Sequence, residues 1–125
     1  MKRLLLTVAA LAPSIALADG DATKGEIVFK KCSACHNIDK TDNKIGPHLV
    51  GILGRKVAAI DGFPNYSDAL KAAGAGGKVW DEASLAAWVT EPKKLYPGTR
   101  MVFTGLKKPE DVQDLIAYIK AQPAQ

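Results

Sequence analysis

Apolar residues recur with helical spacing in four stretches of the chain, and no stretch shows the strict alternation of a half-buried strand. The clearest lies near the carboxyl end. Val112, Leu115, Ile116 and Ile119 fall at i, i+3, i+4 and i+7, one apolar stripe behind Pro109 at a first helical position. Glu110 and Asp111 suit its first turn and Lys120 its last. A first helix is predicted over Ala22 to Ala34, with Asp21 as N-cap and Ile27, Val28 and Phe29 as its apolar content. A short one covers Ser67 to Ala73, ended by Gly74 and the glycines at 76 and 77. Another begins near Asp81, carries Leu85, Trp88 and Val89, and stops at Pro92. The pattern predicts an all-α domain. Between the first two helices lie roughly thirty residues rich in Gly, Pro, Asn and Asp. A structureless loop of that length is uncommon in a compact domain unless it wraps something, so it points to a bound group inside.

The amino end has a different pattern. Lys2 and Arg3 precede an almost wholly apolar run from Leu4 to Leu17, and Ala16-Leu17-Ala18 is a small-x-small cleavage pattern. These are the three regions of a secretory signal peptide cut after Ala18. A membrane anchor fits less well, because the run is short for a span and is broken by Pro13. The expected organisation is therefore 1–18 as a cleaved signal and 19–125 as one domain, exported most simply to a bacterial periplasm. Removing eighteen of 125 residues leaves 107. A chain of that size buries only roughly 60–70 % of its extended surface, so an apolar prosthetic group would add to its core. Charge is mild: 17 basic against 13 acidic side chains, or 15 against 13 once Lys2 and Arg3 are removed. That balance argues against a general nucleic-acid binder.

Both cysteines lie in Cys32-Ser33-Ala34-Cys35-His36, too close together to staple an exported domain by a disulfide. The motif reads as covalent c-type haem attachment. Two thiols three residues apart at the end of a helix project from the same side, and the adjacent His36 turns its imidazole toward the iron. A thiol-disulfide centre would want a βαβ context, and strands are missing. A zinc site could draw on Cys32, Cys35, His36 and His48. However, the histidines do not share a helical turn, and the adjacent Cys35 and His36 would crowd one tetrahedron. Met101 is the one methionine left after Met1 leaves with the signal, and it follows the turn-rich Pro97-Gly98-Thr99-Arg100. It is therefore the candidate sixth ligand. His48 reads as a surface or loop-capping residue. An iron closed by imidazole and thioether exchanges electrons and has no position for oxygen or substrate.

From Gly25 to Lys120 the chain resembles the class I cytochromes c, the group of mitochondrial cytochrome c and its bacterial periplasmic relatives. The resemblance implies the small cytochrome c fold. In it the N- and C-terminal helices cross, and two to three further helices and long loops wrap one haem c bound through Cys32 and Cys35. Gly25 and Phe29 match the face that packs across Leu115 and Tyr118. Pro47 matches the residue whose carbonyl accepts the hydrogen bond of the haem-ligating imidazole, a bond that fixes ring orientation. Arg55, Tyr66 and Trp80 match positions around the haem propionates, Thr99 sits beside a propionate, and Met101 matches the axial ligand opposite His36. There are two departures. Trp88 replaces a tyrosine that hydrogen-bonds the methionine sulfur, and Leu70 replaces an asparagine of the same network. Both imply a drier distal side and a higher potential.

The same resemblance places Lys31, Lys44, Lys93, Lys94, Arg100, Lys107 and Lys108 around the exposed haem edge, where they would steer the protein onto acidic docking sites of membrane-bound donor and acceptor complexes. The expected protein is a monomeric one-electron carrier, not inserted in the membrane and not an enzyme. A haem peroxidase would need Met101 to leave the iron, and no distal acid-base residue is visible near it. A fixed subunit of a larger oxidoreductase would use the same haem site, and co-purification separates that reading from the first.

Overall fold

The structure is a computed structural model and describes residues 20–123. The signal expected over 1–18 lies outside the described residues. Among the described residues five helices run in order: α1 Ala22–Phe29, α2 Asp68–Ala75, α3 Glu82–Thr90, α4 Pro92–Leu95 and α5 Pro109–Lys120. Among the described residues extended pairing is limited to one isolated antiparallel bridge between Lys56 and Val79. The all-α expectation holds.

α1 starts where Asp21 predicts, its carboxylate accepting from Thr23 N at 2.8 Å and Lys24 N at 3.1 Å. It ends at Phe29, five residues earlier than the apolar spacing suggested, and continues as tighter turns. Cys32 N bonds the Phe29 carbonyl at 2.8 Å, and Cys35 N bonds that of Cys32 at 3.0 Å. The cause is local. Ser33 Oγ donates to the Lys30 carbonyl at 3.0 Å, so a side chain takes the acceptor that Ala34 N would use in a continuing helix.

In α2 Ser67 is the cap rather than the first residue, and the helix runs through Gly74 to Ala75. Gly74 does not stop it. A Cβ there would collide with the Val57 carbonyl, so this glycine serves close packing against the preceding loop. α3 opens with a capping box in which Asp81 and Ser84 bond each other's backbone N–H at 2.7 and 3.0 Å. Pro92 ends the α3 pattern as expected. It also starts the single turn α4, which the residue pattern did not reveal, because a proline is compatible with a first helical position.

α1 packs chiefly on α5. Phe29 and Tyr118 lie with ring centroids 5.5 Å apart, and Asp21 N donates to Asp114 Oδ1 at 2.8 Å. Val112, Leu115 and Ile119 of α5 join Val28, Phe29, Leu85, Trp88 and Val89 in one core. The long segment between α1 and α2 is fastened to that frame by its backbone. Gly54 N bonds the Trp80 carbonyl at 2.7 Å, and Trp80 N bonds the Arg55 carbonyl at 2.8 Å.

Candidate haem site

The turns after α1 present Cys32, Cys35 and His36 within one span, with His36 N bonded to the Cys32 carbonyl at 2.9 Å. Both cysteines are half-buried and not joined to each other. Burial pushes the Cys32 thiol up to about 11, aided by Cys35 and opposed by Lys31.

The Nδ1 of His36 lies 2.7 Å from the Pro47 carbonyl oxygen. A carbonyl only accepts, so Nδ1 carries the proton. Burial lowers the basicity of the imidazole; the Pro47 bond opposes this and the Lys44 charge adds to it. The ring is thus neutral at neutral pH, with the Nε2 lone pair left for a metal. Gly46 is a site residue that the sequence pattern did not single out. A Cβ on it would come within 2.9 Å of both ring nitrogens, so only glycine lets the backbone lie against the imidazole. Its place beside Pro47 was the available signal, but sequence does not say which ring it faces.

Met101 is half-buried against the core. Its loop is held by its own neighbours: Thr99 N bonds the Tyr96 carbonyl at 3.2 Å, and the Thr99 hydroxyl accepts from Met101 N at 3.1 Å. Trp80 and Trp88, both buried, form a trio with Tyr96 at centroid separations of 5.5, 6.2 and 5.8 Å. Tyr96 is a second residue missed, because it lies outside the helical stripes. Tyr66 packs edge-on against Phe63 at 4.8 Å, and its oxygen accepts from Ile60 N at 3.2 Å. Burial raises its phenol, which stays protonated.

Arg55, matched by resemblance to a position around the propionates, is held here by the backbone of its own loop. Its guanidinium donates to the His48 carbonyl at 2.8 Å and to the Val50 carbonyl, clasping the loop. His48 is drawn into the same clasp. Its N–H bonds Asn43 Oδ1 at 2.9 Å, and its Nδ1 accepts from Val50 N at 3.2 Å. Burial lowers the basicity of this ring, with Arg55 adding to the effect and Asp42 opposing it. His48 is a loop cap, and the four side chains of the zinc reading do not converge: among the described residues no three His, Cys, Asp or Glu side chains cluster as a metal site.

Five donors on these residues have no acceptor among the described residues: the indole N–H groups of Trp80 and Trp88 and the hydroxyls of Tyr66, Tyr96 and Thr99. Polar groups on residues this far buried ordinarily have partners, and the two indole nitrogens are open rather than sealed in. A largely apolar ring system carrying two carboxylates would fit this set: the donors would meet the carboxylates, His36 would offer a lone pair and the two cysteines would tether it.

Such a site on five small helices defines a class of haem-bearing electron carriers. Comparison with known proteins gives the same class. The cytochrome c family model matches residues 22–123. Cytochrome c2 of Agrobacterium tumefaciens is 46% identical over 112 residues, covering 86% of this chain and 100% of that protein. Cytochrome c-550 of Ancylobacter novellus is 49% identical over 98 residues, covering 78% and 91%. The solved structure of cytochrome cH from Methylobacterium extorquens is 47% identical and superposes with a TM-score of 0.72, covering 82% of this chain and all of that one. The chain belongs to the cytochrome c family and is a class I c-type cytochrome, an electron carrier with covalently bound haem c.

Proposed function

We propose that the protein is a periplasmic one-electron shuttle whose haem iron takes His36 and Met101 as axial ligands, with Cys32 and Cys35 as the thioether pair. The observation that carries this reading is the 2.7 Å bond from His36 Nδ1 to the Pro47 carbonyl, which leaves a neutral imidazole with one committed and one available nitrogen. Haem iron held by imidazole and thioether alternates between ferric and ferrous states and has no vacant position for substrate. The chain's own residues provide the surroundings. Trp80, Tyr66 and Thr99 would supply donors for the propionates, and Trp88 would offer the methionine sulfur an N–H donor where it cannot accept one. Arg55 acts through the His48–Val50 loop and would add a half-buried positive charge near the carboxylates. The protein is a carrier and not an enzyme.

The test is an oxidised-minus-reduced spectrum with a redox titration of the exported protein. One haem c per chain and a single one-electron wave are expected; two waves, or porphyrin released without thioether cleavage, would overturn the reading.

The partners are membrane-bound donor and acceptor complexes with acidic docking sites. Lys31, Lys93, Arg100 and Lys108 are exposed and make no hydrogen bond or ion pair through their side chains with described residues. Lys94 pairs loosely with Glu91 at 3.8 Å, and Lys107 donates to the Thr104 carbonyl at 3.1 Å. Unpartnered exposed cations are the ones that steer. Electron transfer to a physiological partner is expected to slow severalfold between 50 and 200 mM salt (about one halving of the Debye length) in stopped-flow measurements. A flat profile removes the basic face from the docking account.

A further inference from the structure

Lys44 stands apart from the other cations of the expected basic ring. Its ammonium donates to the Ser33 carbonyl at 2.7 Å, in the middle of the cysteine turn. Its own N–H bonds the Gly46 carbonyl at 3.0 Å, and Gly46 N bonds the Cys35 carbonyl at 2.8 Å. Two successive segments are therefore stitched at three points: Lys44 to Ser33 by side chain, Gly46 to Cys35 by backbone, and the Gly46 Cα against the His36 ring. The Pro47 carbonyl that receives the imidazole proton is the next group along. The Ser33 carbonyl lies in the turns that follow α1, and no backbone N–H of the described residues bonds it, so it is open to a side-chain donor.

We propose that Lys44 is a positioning residue of the haem site, a clamp that holds the Cys32–His36 turn on the Lys44–Pro47 turn and so sets the direction of the His36 imidazole, rather than a member of the docking face. A charge-assisted bond of this length is among the stronger hydrogen bonds available to a lysine, and using it for a partner would open the turn. The ammonium also places a fixed positive charge beside the imidazole, which favours ferrous over ferric iron. The inference rests on His36 as the axial ligand.

The test uses the haem-loaded protein carrying Lys44→Leu, with Lys44→Arg and Lys93→Leu as controls. Lys44→Leu is expected to speed amide hydrogen exchange at Gly46 at least tenfold and to lower the reduction potential. Lys44→Arg is expected to restore both, because its guanidinium donates and carries the same charge. Lys93→Leu is expected to leave Gly46 exchange within twofold of the parent. Gly46 exchange in Lys44→Leu within twofold of the parent, with a potential moved no more than by Lys93→Leu, would make Lys44 an ordinary surface cation and overturn the proposal. The exchange measurement needs no axial ligand. A wrong assignment of His36, visible as an unchanged spectrum in His36→Ala, is therefore told apart from failure of the clamp.

Discussion

Met101→Ala is expected to lower the reduction potential by on the order of a few tenths of a volt, a large part of the ~0.8 V that axial ligands can span. It is also expected to let the reduced protein bind carbon monoxide, which the parent would not. The chain has two methionines, and the other is its first residue. No other thioether can substitute, so the variant leaves one axial position to water or a weak ligand. A thioether favours the ferrous state, and its loss moves the equilibrium toward ferric iron. The loop itself should survive, because the Thr99 hydroxyl bonds the backbone N–H of residue 101 and not its side chain. Visible spectroscopy under carbon monoxide, with a potentiometric titration, checks both parts. An unchanged spectrum would rule Met101 out as a ligand.

Gly25→Val is expected to cost about 3 kcal/mol or more, read as a shift in the denaturant midpoint. A Cβ at residue 25 would overlap the Asp114 carbonyl and come 2.7 Å from the Tyr118 Cβ, so it meets backbone and the root of a side chain rather than a flexible end. The helices cannot simply move apart, because Asp114 is also the acceptor for Asp21 N at 2.8 Å and Tyr118 packs on Phe29. Glu26→Ala, one residue along on the exposed side, is the control and should stay within about 0.5 kcal/mol of the parent. Equal effects of the two changes would mean that close approach at Gly25 does not hold the crossing.

The elements differ in how far they were legible. α5 was read correctly at both ends because its signals are local and agree: proline at the start, acids in the first turn, a lysine in the last, and an apolar stripe between. α1 is shorter than its pattern predicts because nothing in the residues says that Ser33 will take the Lys30 carbonyl. α4 was not seen because Pro92 carries two opposite meanings, a stop for the helix before it and a start for the turn after it. Gly74 looked like a terminator and is a packing residue, a choice made by Val57, which lies far from it in sequence.

At the site the chemistry was readable and the arrangement was not. The Cys32-to-His36 motif and a lone methionine in a turn-rich stretch name the attachment and the candidate ligands through valence alone, which depends on residue type and spacing. Which groups hold them depends on contacts between distant segments. Gly46 against the His36 ring, Arg55 clasping His48 and Val50, Lys44 reaching back to Ser33, and Tyr96 completing the Trp80–Trp88 trio are all such contacts. The sequence by itself determined the helical class and the motif that tethers the haem, because periodicity and covalent chemistry are local properties. Only the tertiary structure decided which donors stay free, which charges are tied down and which glycine lies under the imidazole. Those outcomes are set by close packing and by hydrogen-bond satisfaction across the whole chain.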